Sequence, residues 1–473
     1  MKHSSASTIL IPGSLAALAI AALVLWASMG RSGFVEARIP GSDQEPLIAP
    51  AEPAESLVPP EPGQPKRFEG KPSQLVGSWP CFRGPHRDGI LADSTPLARQ
   101  WPSGGPKVLW SIKLLGPGHA GAAVAGGRVY VLDYDVEAQA DAMRCFSLDD
   151  GREIWRNGYP VEVSENHGMS RTVPAVFEDC VVSLGPKCQV ACWDAGTGKC
   201  RWLLDMVLKY RTKVPSWYAG QCPLVDEDRV ILAPAGSAFL VAVDCRSGKV
   251  LWESPKVRNW DMTHVSIASL ELGGQRMYVY CGSGGVAGIS ARDGSVLWET
   301  TAWVGNMATC PTPVPVGDGK IFFTSGYNAG SLMLQLNEQG GRITASPLWR
   351  LKAKQFESEQ HTPIFVAGHL FGVRTKAGGE QLVCMSLDGK EVWNSGSQKF
   401  GRGPYLAANG LLYALSDEGL LVMAEATPAA YRPLGQFRAL EGAVDAWAPL
   451  ALASGRLILR DLTRMVCLNV AEK

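Results

Sequence analysis

The sequence lacks an excess of charge of either sign: its 473 residues hold 45 basic and 45 acidic side chains, for a formal net charge of zero. Without a basic surplus there is little to neutralise a phosphate backbone, so nucleic acid held by bulk charge is excluded as a partner. Charged residues make up 19% and hydrophobic ones 46%, which excludes a largely disordered chain. Common signatures of chemistry are missing too. There is no Cys-x-x-Cys-His for covalent haem, no Gly-x-x-x-x-Gly-Lys-Ser/Thr phosphate loop, no His-Glu-x-x-His and no Gly-x-Ser-x-Gly. None of the seven histidines is spaced from another as a compact metal-ligand pair. No catalytic residue and no metal ligand is therefore assigned.

What the chain does have in quantity is glycine, 52 residues, and tryptophan, 15. Glycine weakens helix interiors, whereas glycine turns with aromatic strands suit short β-strands. Residues 3–30 contain no Lys, Arg, Asp or Glu, and Ile9 to Trp26 is mostly Leu, Ala, Ile and Val. Such a run is long enough to cross a bilayer as a helix and longer than the apolar core of most cleaved signals. Residues 1–30 are accordingly expected to be a signal anchor, a single transmembrane helix holding the rest at the cell membrane on its extracytoplasmic, periplasmic side. Nine prolines fall between 40 and 75, so residues 31–75 read as an extended, solvated linker. Residues 76–473 are left for the folded domain.

That domain has an internal period. Trp110, Trp155, Trp202, Trp252, Trp298, Trp349 and Trp393 are spaced by 45, 47, 50, 46, 51 and 44 residues. Most follow a glycine turn and a short strand, as in Asp149-Asp150-Gly151-Arg152-Glu153-Ile154-Trp155 and Asp244-Cys245-Arg246-Ser247-Gly248-Lys249-Val250-Leu251-Trp252. A second marker runs out of phase: a turn residue, any residue, then two hydrophobic ones. It begins at Gly127-Arg128-Val129-Tyr130, ends at Gly455-Arg456-Leu457-Ile458 and occurs eight times, about 47 residues apart. Two hairpins per unit give four strands. The expected fold is all-β, an eight-bladed β-propeller, with the tryptophans in the seams between blades. Trp110 has no marker before it and the eighth marker has no Trp after it. Residues 108–114 are thus expected to close the last blade as its outer strand, removing the sheet edge. In the seventh unit Tyr431 is expected at the Trp position.

Repeats ending Asp-x-x-x-Gly-Lys-x-x-Trp resemble those of the PQQ-like, quinoprotein alcohol dehydrogenase-like propeller family. The opening Trp79-Pro80-Cys81-Phe82-Arg83-Gly84-Pro85-His86-Arg87-Asp88-Gly89 is similar to the start of many PQQ-like repeat proteins. The resemblance runs over residues 79–470. It extends distantly to BamB, a non-enzymatic β-barrel assembly protein that is a lipoprotein, whereas no Cys follows the apolar run here before Cys81. WD-type repeats fit less well, because their Gly-His and Trp-Asp signature does not recur. The resemblance implies the fold and leaves two functions open. One is a non-enzymatic scaffold binding an unidentified protein or small molecule at the propeller top. The other is an oxidoreductase acting on alcohols or sugars with PQQ as cofactor. The adjacent cysteine pair common in such dehydrogenases is missing, and no matching Glu, Asn and Asp set is found.

Candidate ligand-binding residues come from the loops entering the innermost strands, which converge on one mouth of the central channel. They are His119, His167, Arg171, Trp217, Gln221, His264, His361, Arg402 and Trp447. Arginines there would hold an anion, tryptophan would stack on a planar ring, and histidines would hydrogen-bond or shuttle protons. The competing expectation is that these groups satisfy one another and bound water. Cys145, Cys192, Cys384 and Cys467 read as small buried repeat residues. Cys180 with Cys188, and Cys192 with Cys200, flank hairpin turns symmetrically and are candidate cross-strand disulfides. Asp133, Asp135, Glu137 and Asp141 are expected to form a solvated acidic loop.

Overall fold

A computed structural model describes Ile20, Leu23 and residues 58–472, apart from 93, 306, 307, 376 and 377. By chain contacts it divides into Met1–Pro53 and Ala54–Lys473. The expected anchor lies outside the described residues except for Ile20 and Leu23. Among the described residues no helix is long and apolar enough to cross a membrane.

The second unit is a ring of eight antiparallel sheets. The first blade is typical: Ala122–Ala125 innermost, then Arg128–Asp135, Ala140–Ser147 and Glu153–Pro160 outermost. Each marker read from the sequence opens a second strand. The last blade takes three strands from the C-terminus, and its outer strand is Lys107–Lys113, pairing with Arg464–Asn469. The ring is therefore closed as expected by an N-terminal strand.

The tryptophans lie beside a recurrent irregularity. Trp155 pairs with Cys145, Trp202 with Cys192, Trp252 with Ala242, Trp298 with Gly288, Trp349 with Met333, Trp393 with Cys384 and Trp110 with Cys467, each next to a shift of register. Such bulges sharpen the twist and re-aim a side chain. In most blades the indole is aimed over the turn of the following blade, whereas Trp298 Nε1 donates to Met277 Sδ of its own blade at 3.2 Å. Trp155 Nε1 donates to Ala195 O at 3.0 Å and Trp202 Nε1 to Cys245 O at 2.9 Å. The turn glycine beneath is obligatory: Gly198 has φ 72°, and a Cβ there would stand 2.5 Å from the Trp155 ring.

The seventh blade corrects the sequence expectation. Its residue beside the register shift is Gly435, opposite Met423, not Tyr431. The indole comes instead from Trp101, whose ring lies 3.3 Å from where a Gly435 Cβ would be and stacks on Tyr413 at 6.4 Å. Tyr431 packs against Trp393 of the preceding blade, with ring centroids 5.6 Å apart.

The N-terminal residues of the unit are bonded to the ring. Gly63 N donates to Gly158 O, Lys66–Arg67 pairs with the outer strand of the first blade, and Ser73 N donates to Gly127 O. Hydrogen bonding thus begins within the Pro-rich stretch read as a linker. Residues 79–91 then run into the channel along the free edges of the inner strands. Trp79 and Val124 exchange both main-chain bonds, Val176 N donates to Pro80 O, and Ile90 and Leu91 pair in parallel with Ala407 and Ala408. This plug satisfies backbone groups that a bare inner edge would leave unpaired.

Candidate functional site

Six inner strands begin just after a proline, for example Ala175 after Pro174, Leu224 after Pro223 and Ile364 after Pro363. The preceding loops carry most of the candidate residues to one mouth of the ring. His119 stacks on Trp447 at 5.0 Å with planes 23° apart. The Arg402 guanidinium lies 5.3 Å over the same indole. Arg402 Nε also donates to Glu359 Oε1 at 2.6 Å. Its backbone N–H and the Trp447 indole N–H both donate to Asp417 Oδ1, at 2.7 and 2.9 Å.

Beside this group stands Arg171, which donates to the carbonyls of Asn166 and Gly168 at 2.6 and 3.2 Å. Burial pulls its guanidinium down to about 10, which leaves it charged at neutral pH. Three histidines of the mouth, His119, His264 and His361, are held neutral. Burial, then the charges of Arg171 and Arg460, pull His119 well below the usual imidazole range. His167 lies beside it, presenting its backbone to that ring. Burial and Arg171 lower His264 to about 4, against the opposing backbone of Ser216 and Tyr218. His361, set edge-on to Tyr405 at 6.1 Å, falls to about 3 through burial.

Seven of the nine expected residues are thus gathered at the mouth. Gln221 serves another purpose: fully buried, it closes a two-way bond with Ala233, accepting its N–H at 2.9 Å and donating to its carbonyl at 3.3 Å. A side chain spent on tying an inner loop to its neighbouring strand does not line a pocket. Trp217 is held at φ 61° in the loop with Tyr218, and among the described residues no ring or ionic contact joins it to the others. Glu359 and Asp417 were missed. Asp417 lies on the turn between second and third strands of its blade, and those hairpins open on the same mouth as the loops entering the inner strands. Burial raises the Asp417 carboxyl to about 6.

Three other expectations change. Asp133 and Asp141 are buried, not solvated: Asp133 accepts from Arg144 at 3.0 Å and from Leu115 N at 2.8 Å. Cys180 stands opposite Asp194, and Cys200 opposite Trp193, so neither proposed cysteine pair faces across its hairpin. All twelve cysteines are free thiols. The four cysteines read as core residues are buried.

A family model described as outer membrane protein assembly factor BamB, PQQ_2, matches residues 139–387, more than half of the chain. The chain belongs to the PQQ_2 family. Similar solved structures include a europium-containing methanol dehydrogenase, 12% identical, covering 83% of this chain and 89% of that one, with a TM-score of 0.58. BamB from Moraxella catarrhalis is 14% identical over 77% of this chain and 99% of its own, with a TM-score of 0.49. A quinohemoprotein alcohol dehydrogenase from Comamonas testosteroni is 14% identical over 84% of this chain and 81% of its own, with a TM-score of 0.41. At these identities the likeness concerns the fold alone. No curated protein matches the chain.

Proposed function

We propose that this PQQ_2 propeller is a binding scaffold, tethered to the membrane by its N-terminus and facing the extracytoplasmic side, that engages a protein or small molecule at the propeller top. One observation carries the reading: the polar groups around Trp447 are spent on one another, while His119 Nδ1 and Nε2, Arg171 Nε and His361 Nε2 beside them are buried without a partner among the described residues. Arg402 is neutralised by Glu359, Trp447 is in contact with both Arg402 and His119, and its N–H is taken by Asp417. The satisfied cluster rigidifies that side of the mouth and fixes its shape, and the unpartnered groups beside it are left for a ligand, which suits recognition better than turnover.

The alternative, a PQQ-dependent oxidoreductase, asks more of these residues. PQQ presents a flat ring system with three carboxylates. The indole face that would take the ring is covered, one arginine is already paired, and among the described residues no cluster of His, Cys, Asp and Glu is arranged for a cation. The residues do not fit the group as they stand, and no reaction step is derived through it. The full-length protein titrated with PQQ and Ca²⁺ is expected to show no saturable binding and no dye reduction with alcohols or sugars. Tight binding with turnover would replace the scaffold reading by the enzymatic one.

A further inference from the structure

Deeper in the channel, a few residues further along the inner strands than the mouth, the plug borders a cavity of about 270 Å³. We infer that this cavity is a second binding site, specific for a small carboxylate with an aromatic or branched apolar body. Nothing in the mouth network contributes to it, and the inference stands apart from the scaffold reading.

The charge comes from the plug. Arg83 and Arg87 both line the cavity. Arg83 is bonded entirely to carbonyls: Thr362 O at 2.7 Å, Asp88 O at 2.8 Å, and Arg87 O and Pro363 O at 3.0 Å. Arg87 donates to Val225 O, while its Nε is buried and has no partner. Carbonyls solvate a guanidinium without neutralising it. Among the described residues no carboxylate lies within ion-pair distance of either arginine. Asp88 also borders the space, spends Oδ1 on the Ile90 N–H at 2.9 Å, and offsets one of the two positive charges. One positive charge and one buried, unpaired N–H remain.

A carboxylate answers that charge, because its two oxygens accept paired N–H donors of a guanidinium. The walls decide the rest of the ligand. Phe82 comes from the plug, Val314 and Phe365 from inner strands and Ile267 from the residue just before another, with prolines between them. The volume sits at the low end of small-molecule pockets, so a single ring or short branched chain fills it. The motif Cys81-Phe82-Arg83-Gly84-Pro85-His86-Arg87-Asp88 thus both seals the channel and supplies the anchor. Gly84 permits this turn: it has φ 79°, and a Cβ there would stand 2.8 Å from the Trp79 ring.

The test uses the full-length protein with labelled isoleucine and valine methyl groups, benzoate as probe and benzamide as its uncharged counterpart. Benzoate is expected to shift the Ile267 and Val314 methyl resonances along a saturable one-site isotherm, with benzamide at least tenfold weaker. Arg87→Met is expected to weaken benzoate at least tenfold. The inference is overturned if benzoate produces no saturable shift, if the two ligands bind equally, if the shifts appear at the mouth instead, or if Arg87→Met binds benzoate as the wild type does. Should that variant fail to fold, the comparison of acid and amide on the wild type decides alone.

Discussion

Asp141 lies on the third strand of the first blade, 1% exposed, and is given a hydroxyl but no cation. Tyr159 donates to Oδ2 at 2.7 Å, and Oδ1 is buried without a partner. Burial lifts its carboxyl from 3.8 to about 7. Between these values the folded protein keeps a proton that the unfolded chain has lost, so this residue costs more stability as pH rises from about 4 to 7, and no more above. The neutral mouth histidines act with the opposite sign. With folded values depressed to about 4 for His264 and about 3 for His361, the unfolded chain takes up protons first, and stability falls as pH drops below 6.5. The two effects oppose each other in the wild type, so the clean readout is a difference. Asp141→Asn is expected to be more stable than wild type at pH 8, by about 1–3 kcal/mol, with the gap closing toward pH 4. Urea midpoints at both pH values measure it; a pH-independent gap would mean that Asp141 is charged throughout. The same residue shows why part of the chemistry was illegible in the sequence. Four acids within nine residues look solvated, and only the assembled fold buries Asp133 and Asp141 among them. Gln221 and Asp417 are similar, because whether a polar side chain serves a neighbouring strand or the mouth depends on a partner 12 to 30 residues away.

At the scale of the blade, the repeating signals were legible because each encodes one local event. The aspartate–glycine turn, the bulge and the tryptophan recur at nearly constant distance, and the last hydrophobic residue of the second marker packs on its own blade's indole. Tyr130 lies 6.1 Å from Trp155, Phe322 6.0 Å from Trp349 and Phe371 5.7 Å from Trp393, whereas Tyr278 packs on Trp252 of the preceding blade. Blade seven keeps the aromatic partner, Tyr413, and the bulge, but has Gly435 where the indole would attach. Periodicity pointed to the nearest aromatic, Tyr431. It had no means of pointing to Trp101, which stands before the first repeat and fills the same space from outside. If Trp101 is the substitute seam residue, Trp101→Ala leaves blade seven without an indole. Loss of about 2–3 kcal/mol is expected, at the lower edge for large aromatic truncations because Trp101 is only half-buried. Denaturant midpoints measure this, and a change below about 0.5 kcal/mol would show that the ring is surface decoration.

At the scale of the molecule, the chain before the first repeat performs three separable tasks. Lys107–Lys113 closes the ring, residues 79–91 line the inner edges, and residues 63–73 bond to the first blade. Only the first was legible, because a missing strand in a closed repeat is a counting argument, whereas a plug has no period. The tasks differ in energetic rank. Without its outer strand the eighth blade presents an open edge, and the seam between the first and last blades loses Trp110, whose indole donates to Leu148 O at 3.0 Å. Without the plug every blade still has four strands, and Trp101 still reaches the seventh. A chain starting at residue 92 is therefore expected to stay monomeric and melt cooperatively, at a lower temperature than one starting at residue 58. A chain starting at residue 115 is expected to associate or melt without cooperativity. Light scattering with thermal circular dichroism separates the cases. A monomeric, cooperative melt for the shortest chain would mean that closure contributes little, and that the seams of the other blades hold the ring.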